Sequence, residues 1–113
     1  MSAPRLAEGA LFTTEVDGLA AFYERVLGVA PAERSEGHAV FALGETVLRI
    51  HAAVDPAPGD PPAEDHVAFA VEGLDGRAAA VAAGGGDVDG LRDLPWGRSA
   101  YVRDPDGRLV ELA

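Results

Sequence analysis

Cysteine is absent from the 113-residue chain, which excludes disulfides, thiolate nucleophiles, Cys-ligated zinc and iron–sulfur clusters. Lysine is absent as well, so Schiff-base chemistry and a P-loop lysine are also excluded. Positive charge is scarce: nine arginines face 19 acidic residues, for a formal charge of −10. Such a chain repels nucleic-acid phosphates and anionic membrane surfaces, and its arginines do not cluster. Long apolar runs are missing too, since no segment approaches the roughly 20 apolar residues that cross a bilayer. Met1 to Arg5 leads to no apolar h-region, so no secretory signal is expected. The motifs GxSxG, HExxH and strand-following GxGxxG do not occur. Hydrophobic residues nevertheless make up 48% of the chain, enough for a packed core, and the length fits one domain. The composition points to a soluble, cytoplasmic domain. Any chemistry must come from carboxylates, three histidines, Arg, Tyr, a few hydroxyls or a bound metal.

The first clear element is a helix. Leu19, Phe22, Tyr23, Val26 and Leu27 recur on one face of a 3.6-residue period, Asp17 reads as N-cap and Gly28 as the left-handed C-terminal residue. Glu8 to Thr14 reads as a strand before it; Ala39 to Leu43 and Thr46 to Ala52 read as strands joined at Gly44-Glu45. In the last of these, Leu48 and Ile50 point one way, and Val47, Arg49 and His51 the other. Residues 54–65 are proline-rich and aperiodic, a linker. The pattern then restarts: a strand at His66 to Val71, an Ala-rich helix opening at Asp75-Gly76 and stopped by Gly84-Gly85-Gly86, and a hairpin around Asp104-Pro105-Asp106-Gly107. A further strand falls in each half, near Ala32 to Glu36 and Asp87 to Asp93. Asp17-Gly18 and Asp75-Gly76 hold equivalent places, as do VLRIHA and LVELA. The expectation is α+β: eight strands and two helices (near 17–27 and 75–83) as two βαβββ modules, one over about 6–53 and one over 66–113.

Three stretches carry a resemblance: LAAFYERVLGV at 19–29, HVAFAVEGLD at 66–75 and WGRSAYVRDPDGRLVEL at 96–112. The chain resembles the vicinal oxygen chelate superfamily, which includes glyoxalase I, bleomycin- and fosfomycin-resistance proteins and extradiol dioxygenases. The resemblance implies paired βαβββ modules whose sheets curl into a cup around a small ligand, often in a homodimer. It does not imply one reaction. The family's metal ligands lie at the start of each module's first strand and on its last strand. Those positions here hold Glu8, Arg49, His66 and Glu111, with His51 two residues beyond Arg49 on the same face.

Arg49 departs from the family pattern, because a guanidinium cannot ligate a cation. Two readings follow. In one, Glu8, His66 and Glu111 hold a divalent ion (Mn, Fe, Ni, Zn or Mg) for a lyase, isomerase or ring-cleaving dioxygenase. In the other, Arg49 replaces the cation, pairs with Glu8 or Glu111, and the protein sequesters an apolar or aromatic compound. The second is the leading expectation, with Arg49, His51, Phe12, Trp96 and Tyr101 contacting ligand. Phe41 is a further candidate for an aromatic wall. Arg98 reads as a surface residue, His38 as part of an exposed turn, and Tyr23 as core.

Overall fold

The computed structural model describes residues 3–95 and 97–113. Among these, ten elements follow in order: β1 (Arg5–Thr13), α1 (Val16–Leu27), β2 (Glu33–Ser35), β3 (His38–Leu43), β4 (Thr46–Ala52), β5 (His66–Ala70), α2 (Leu74–Ala83), β6 (Asp87–Leu94), β7 (Gly97–Arg103) and β8 (Leu109–Leu112). The expected α+β order of strand, helix and three strands, twice over, is what the chain adopts. It divides into two compact units, Glu8–Asp65 and His66–Ala113, the second also taking Met1–Ala7.

In the first unit the strands run in the order β2-β3-β4-β1. β1 pairs parallel to β4, and β3 pairs antiparallel to both β2 and β4. The period-3.6 face of α1 explains the core. Val16 and Ala20, flanked by Leu19, Tyr23 and Leu27, pack on Ala39, Phe41 and Ile50. Phe41 and Ile50 are fully buried, each contributing about 2 kcal/mol by leaving water. Phe41 therefore belongs to the helix-facing core and is no ligand wall, because its neighbours on the other strand face are Val40 and Ala42. Gly28 ends α1 at φ 73°, its N–H donating to the Glu24 carbonyl, a conformation that costs other residues a Cβ clash.

The N-terminus of α1 differs from expectation. The N-cap position is Glu15, whose N–H donates to Thr13 Oγ1 at 2.9 Å. Asp17 lies inside the first turn, where it meets Arg34 of β2 and the positive end of the helix dipole.

In the second unit the order is β5-β8-β7-β6, with β5 parallel to β8 and β7 antiparallel to both β6 and β8. α2 lays Ala78, Leu74 and Val81 on Ala100, Val102 and Leu112. The β7–β8 turn is held by Asp104, whose Oδ1 accepts the N–H groups of Asp106 (2.9 Å) and Arg108 (2.8 Å). The Arg108 N–H is the main reason this carboxyl titrates below its ordinary value; burial opposes it, and the Asp106 N–H and the Arg108 charge add to the lowering. Segment 54–65 carries neither helix nor strand, yet Asp65 Oδ1 accepts the Phe12 N–H at 2.8 Å.

Candidate functional site

Each unit places one charged residue on its last strand and surrounds it with two partners. In the first unit that residue is Arg49. β1–β4 register sets Ala10 beside Arg49, which puts Glu8 two residues upstream on the same face. β3–β4 register sets Val40 beside Arg49 and His38 beside His51. Arg49 Nε donates to Glu8 Oε1, and its Nη1 lies 3.2 Å from His38 Nε2. A guanidinium only donates, so His38 Nε2 is the acceptor and the ring's proton sits on Nδ1. His38 is thus a half-buried member of β3 and not part of an exposed turn. Phe12 stacks on His51 with ring centroids 4.8 Å apart, and His38 tilts against His51 at 5.3 Å.

In the second unit the central residue is Glu111. β5–β8 register sets Ala68 beside Glu111 and places His66 two residues upstream, the offset Glu8 has from Ala10. β7 sets Tyr101 beside it, with Ser99 two residues before. His66 Nε2 lies 3.2 Å from Glu111 Oε1, and Ser99 Oγ donates to Oε2 at 2.8 Å. Burial raises the Glu111 carboxyl, but hydrogen bonds from His66 and Ser99, the His66 charge and the Tyr101 hydroxyl outweigh it, and the group titrates below its ordinary value. A carboxylate only accepts, so His66 presents a proton on Nε2. Tyr101 is buried and meets the His66 ring edge to face.

The arrangements are chemical opposites on one template. An acceptor-seeking cation sits between two acceptors in the first unit, and a donor-seeking anion sits between His66 and Ser99, with the Tyr101 hydroxyl as a further donor, in the second. Ser99 is the member of this cluster that sequence reasoning missed. Its only signal is positional, since it occupies on β7 the place His38 occupies on β3. Arg98 is exposed and pairs with Asp75 (3.1 Å) and Asp93 (3.4 Å), as a surface arginine should. Trp96 lies outside the described residues.

Glu8, His66 and Glu111 each offer an atom of ligand type. In the second unit a divalent ion would have to displace the proton that His66 Nε2 shares with Glu111. The 3.2 Å between His66 Nε2 and Glu111 Oε1 is close to the spacing of neighbouring ligands on an ion bound at about 2.1 Å. Glu8 suits one less, because Arg49 already holds Oε1 and would set a second positive charge against the ion.

Strand order, repeated register and these paired positions define a two-module glyoxalase-type fold. Residues 5–112 match the Glyoxalase/Bleomycin resistance protein/Dioxygenase superfamily, and the chain belongs to it. Solved structures agree on the fold. A hypothetical protein from Bacillus halodurans aligns with TM-score 0.73 at 17% identity, covering 98% of this chain and 94% of its own. A superfamily member from Vibrio splendidus aligns at 0.71 and 16%, covering 97% of each. A methylmalonyl-CoA epimerase from Streptomyces coelicolor, in complex with 2-nitronate-propionyl-CoA, aligns at 0.68 and 21%, covering 98% and 94%. A search of curated proteins finds no match.

Proposed function

We propose that the protein binds a small apolar or aromatic compound and sequesters it, in the manner of bleomycin-resistance proteins, with no metal required. One observation carries this reading: Arg49 engages Glu8 at positions where the superfamily pattern has ligands. The pair neutralises itself, so Glu8 needs no cation. Phe12, Arg49, His51, Trp96 and Tyr101 are the proposed ligand contacts. The chain is taken to act as a single domain of two modules joined by 54–65, in a two-fold homodimer in the cytoplasm. A mass near twice the chain's 11.6 kDa by light scattering at micromolar concentration is the expected result for assembly.

A second reading has its own support. The His66–Glu111 pair is nearly fully buried and correctly spaced for an ion, which favours a divalent-metal lyase, isomerase or extradiol-type dioxygenase using Glu8, His66 and Glu111. Elemental analysis of the purified protein separates the two, followed by a thermal-shift ligand screen with and without chelator. The sequestering reading expects substoichiometric metal and ligand shifts that chelator leaves unchanged. One tightly held ion per chain, lost in Glu111→Gln, overturns it in favour of the enzyme.

A further inference from the structure

The face of the first half-sheet opposite α1 has a polar centre and an aromatic margin. One rung across the strands is Ala10, Arg49 and Val40; the next is Phe12, His51 and His38. Ala10 and Val40 are apolar and buried, which leaves Arg49 as the polar group of its rung apart from Glu33 on exposed β2, whose register partner is Val40.

Arg49 is held at two points. Glu8 takes the Nε–H and His38 takes one Nη1–H, while the remaining N–H groups, both of those on Nη2 included, meet no acceptor among the described residues. The side chain keeps about a third of its surface in solvent. A guanidinium so fixed has already lost its rotamer freedom and still carries open donors. Its fork geometry lets it serve two carboxylates at once. A neutral carbonyl would occupy one of those donors; a carboxylate takes two and adds charge to each bond.

The aromatic rung lies two residues along β4 from Arg49, about 7 Å away at the rise of a strand. Phe12 and His51 stack nearly parallel, with an interplanar angle of 19°, and His38 continues the row. All three rings are half-buried, and the edge of an aromatic ring carries the positive polarisation that suits the electron-rich face of another.

We propose that this face takes an aromatic acid, in which a short linker joins a flat ring to one carboxylate received by Arg49. The inference rests on the small-molecule-binding reading and names the class of ligand. His38 acts as a positioning residue, holding the guanidinium without touching the ligand's acid group.

Calorimetric titration of the full chain with phenylpropanoate, and with phenylpropanol as its neutral counterpart, tests this. The acid should bind about tenfold more tightly than the alcohol, the step expected when one charged group gains a paired guanidinium. Added sodium chloride should weaken the acid and leave the alcohol unchanged, a readout that needs no variant. Arg49→Gln should bring the two ligands to within roughly twofold, and Arg49→Lys should keep part of the preference. Equal binding of acid and alcohol to the native chain, or a preference that survives Arg49→Gln, overturns the inference and leaves the binding function standing. Failure of both compounds to bind overturns the inference and counts against the binding function as well.

Discussion

The two units build the same polar arrangement with opposite charge. Arg49 and Glu111 sit at matching places on β4 and β8, Glu8 and His66 at matching places on β1 and β5, and His38 and Ser99 at matching places on β3 and β7. Backbone register sets those places; side-chain chemistry is free to invert across the repeat. The constraint that survives inversion is complementarity. A donor-only centre needs acceptors, an acceptor-only centre needs donors, and each unit supplies its own. They differ in depth. The side chains of His66 and Glu111 are 6% and 8% exposed, those of Arg49 and Glu8 33% and 18%.

That difference predicts unequal responses to truncation. The largest effect is expected from Glu111→Ala, which removes the acceptor of the fully buried Ser99 and the carboxylate that His66 Nε2 meets. Urea denaturation should show a loss of about 3 kcal/mol, as for a broken buried pair. Arg49→Ala should cost nearer 1 kcal/mol, since solvent reaches that pair; equal losses would remove the distinction between the units.

Arg49→Glu sharpens the comparison from the other side. It gives the first unit the charge the second has at its centre and removes the cation beside Glu8. Divalent-metal affinity, followed by manganese or nickel titration, should rise by about tenfold or more. An unchanged affinity would mean that Arg49 is not what keeps metal away.

Acid acts on the second unit. Glu111 titrates below its ordinary 4.5 in the folded chain, so its contribution is present above that value and is lost as pH falls through the lower folded one. Stability measured between pH 5 and 2, a range set by roughly that carboxylate window, should therefore decline more steeply in the native chain than in Glu111→Gln. Parallel profiles would contradict this.

The smallest effects are expected where the units are alike. Arg34 pairs with Asp17 in the first turn of α1, and Arg98 with Asp75 in the first turn of α2. Both carboxylates are exposed, and Arg34→Ala or Arg98→Ala should each shift stability by less than about 1 kcal/mol.

How far the sequence could be read follows the range of the interactions. Helix periodicity, Asp-Gly openings, Gly28 and the Asp104–Gly107 turn are local signals, and they led to both helices and all eight strands among the described residues. The Arg49–Glu8 pair was legible as well, because an arginine at a ligand position needs a carboxylate. What failed was register across hairpins and the detail of one cap. His38 read as an exposed turn because its partners, His51 and Arg49, are fixed only once β3 pairs with β4. Ser99 carried no motif. Asp17 has the chemistry of an N-cap, but the cap falls two residues earlier, on Glu15, whose N–H donates to Thr13 Oγ1.

The parallel closure of each unit sets an order of assembly. His38 and Ser99 stand 11 and 12 residues from their central partners, across a hairpin, while Glu8 and His66 stand 41 and 45 residues away. Short loops close at less entropic cost and sooner. Each central charge therefore meets its hairpin neighbour early and its first-strand partner late. Weakening the hairpin contact should slow folding, and weakening the first-strand contact should hasten unfolding. The first strand of each unit is then the latch of its module, and its charge pair governs how long the folded chain persists rather than how quickly it forms.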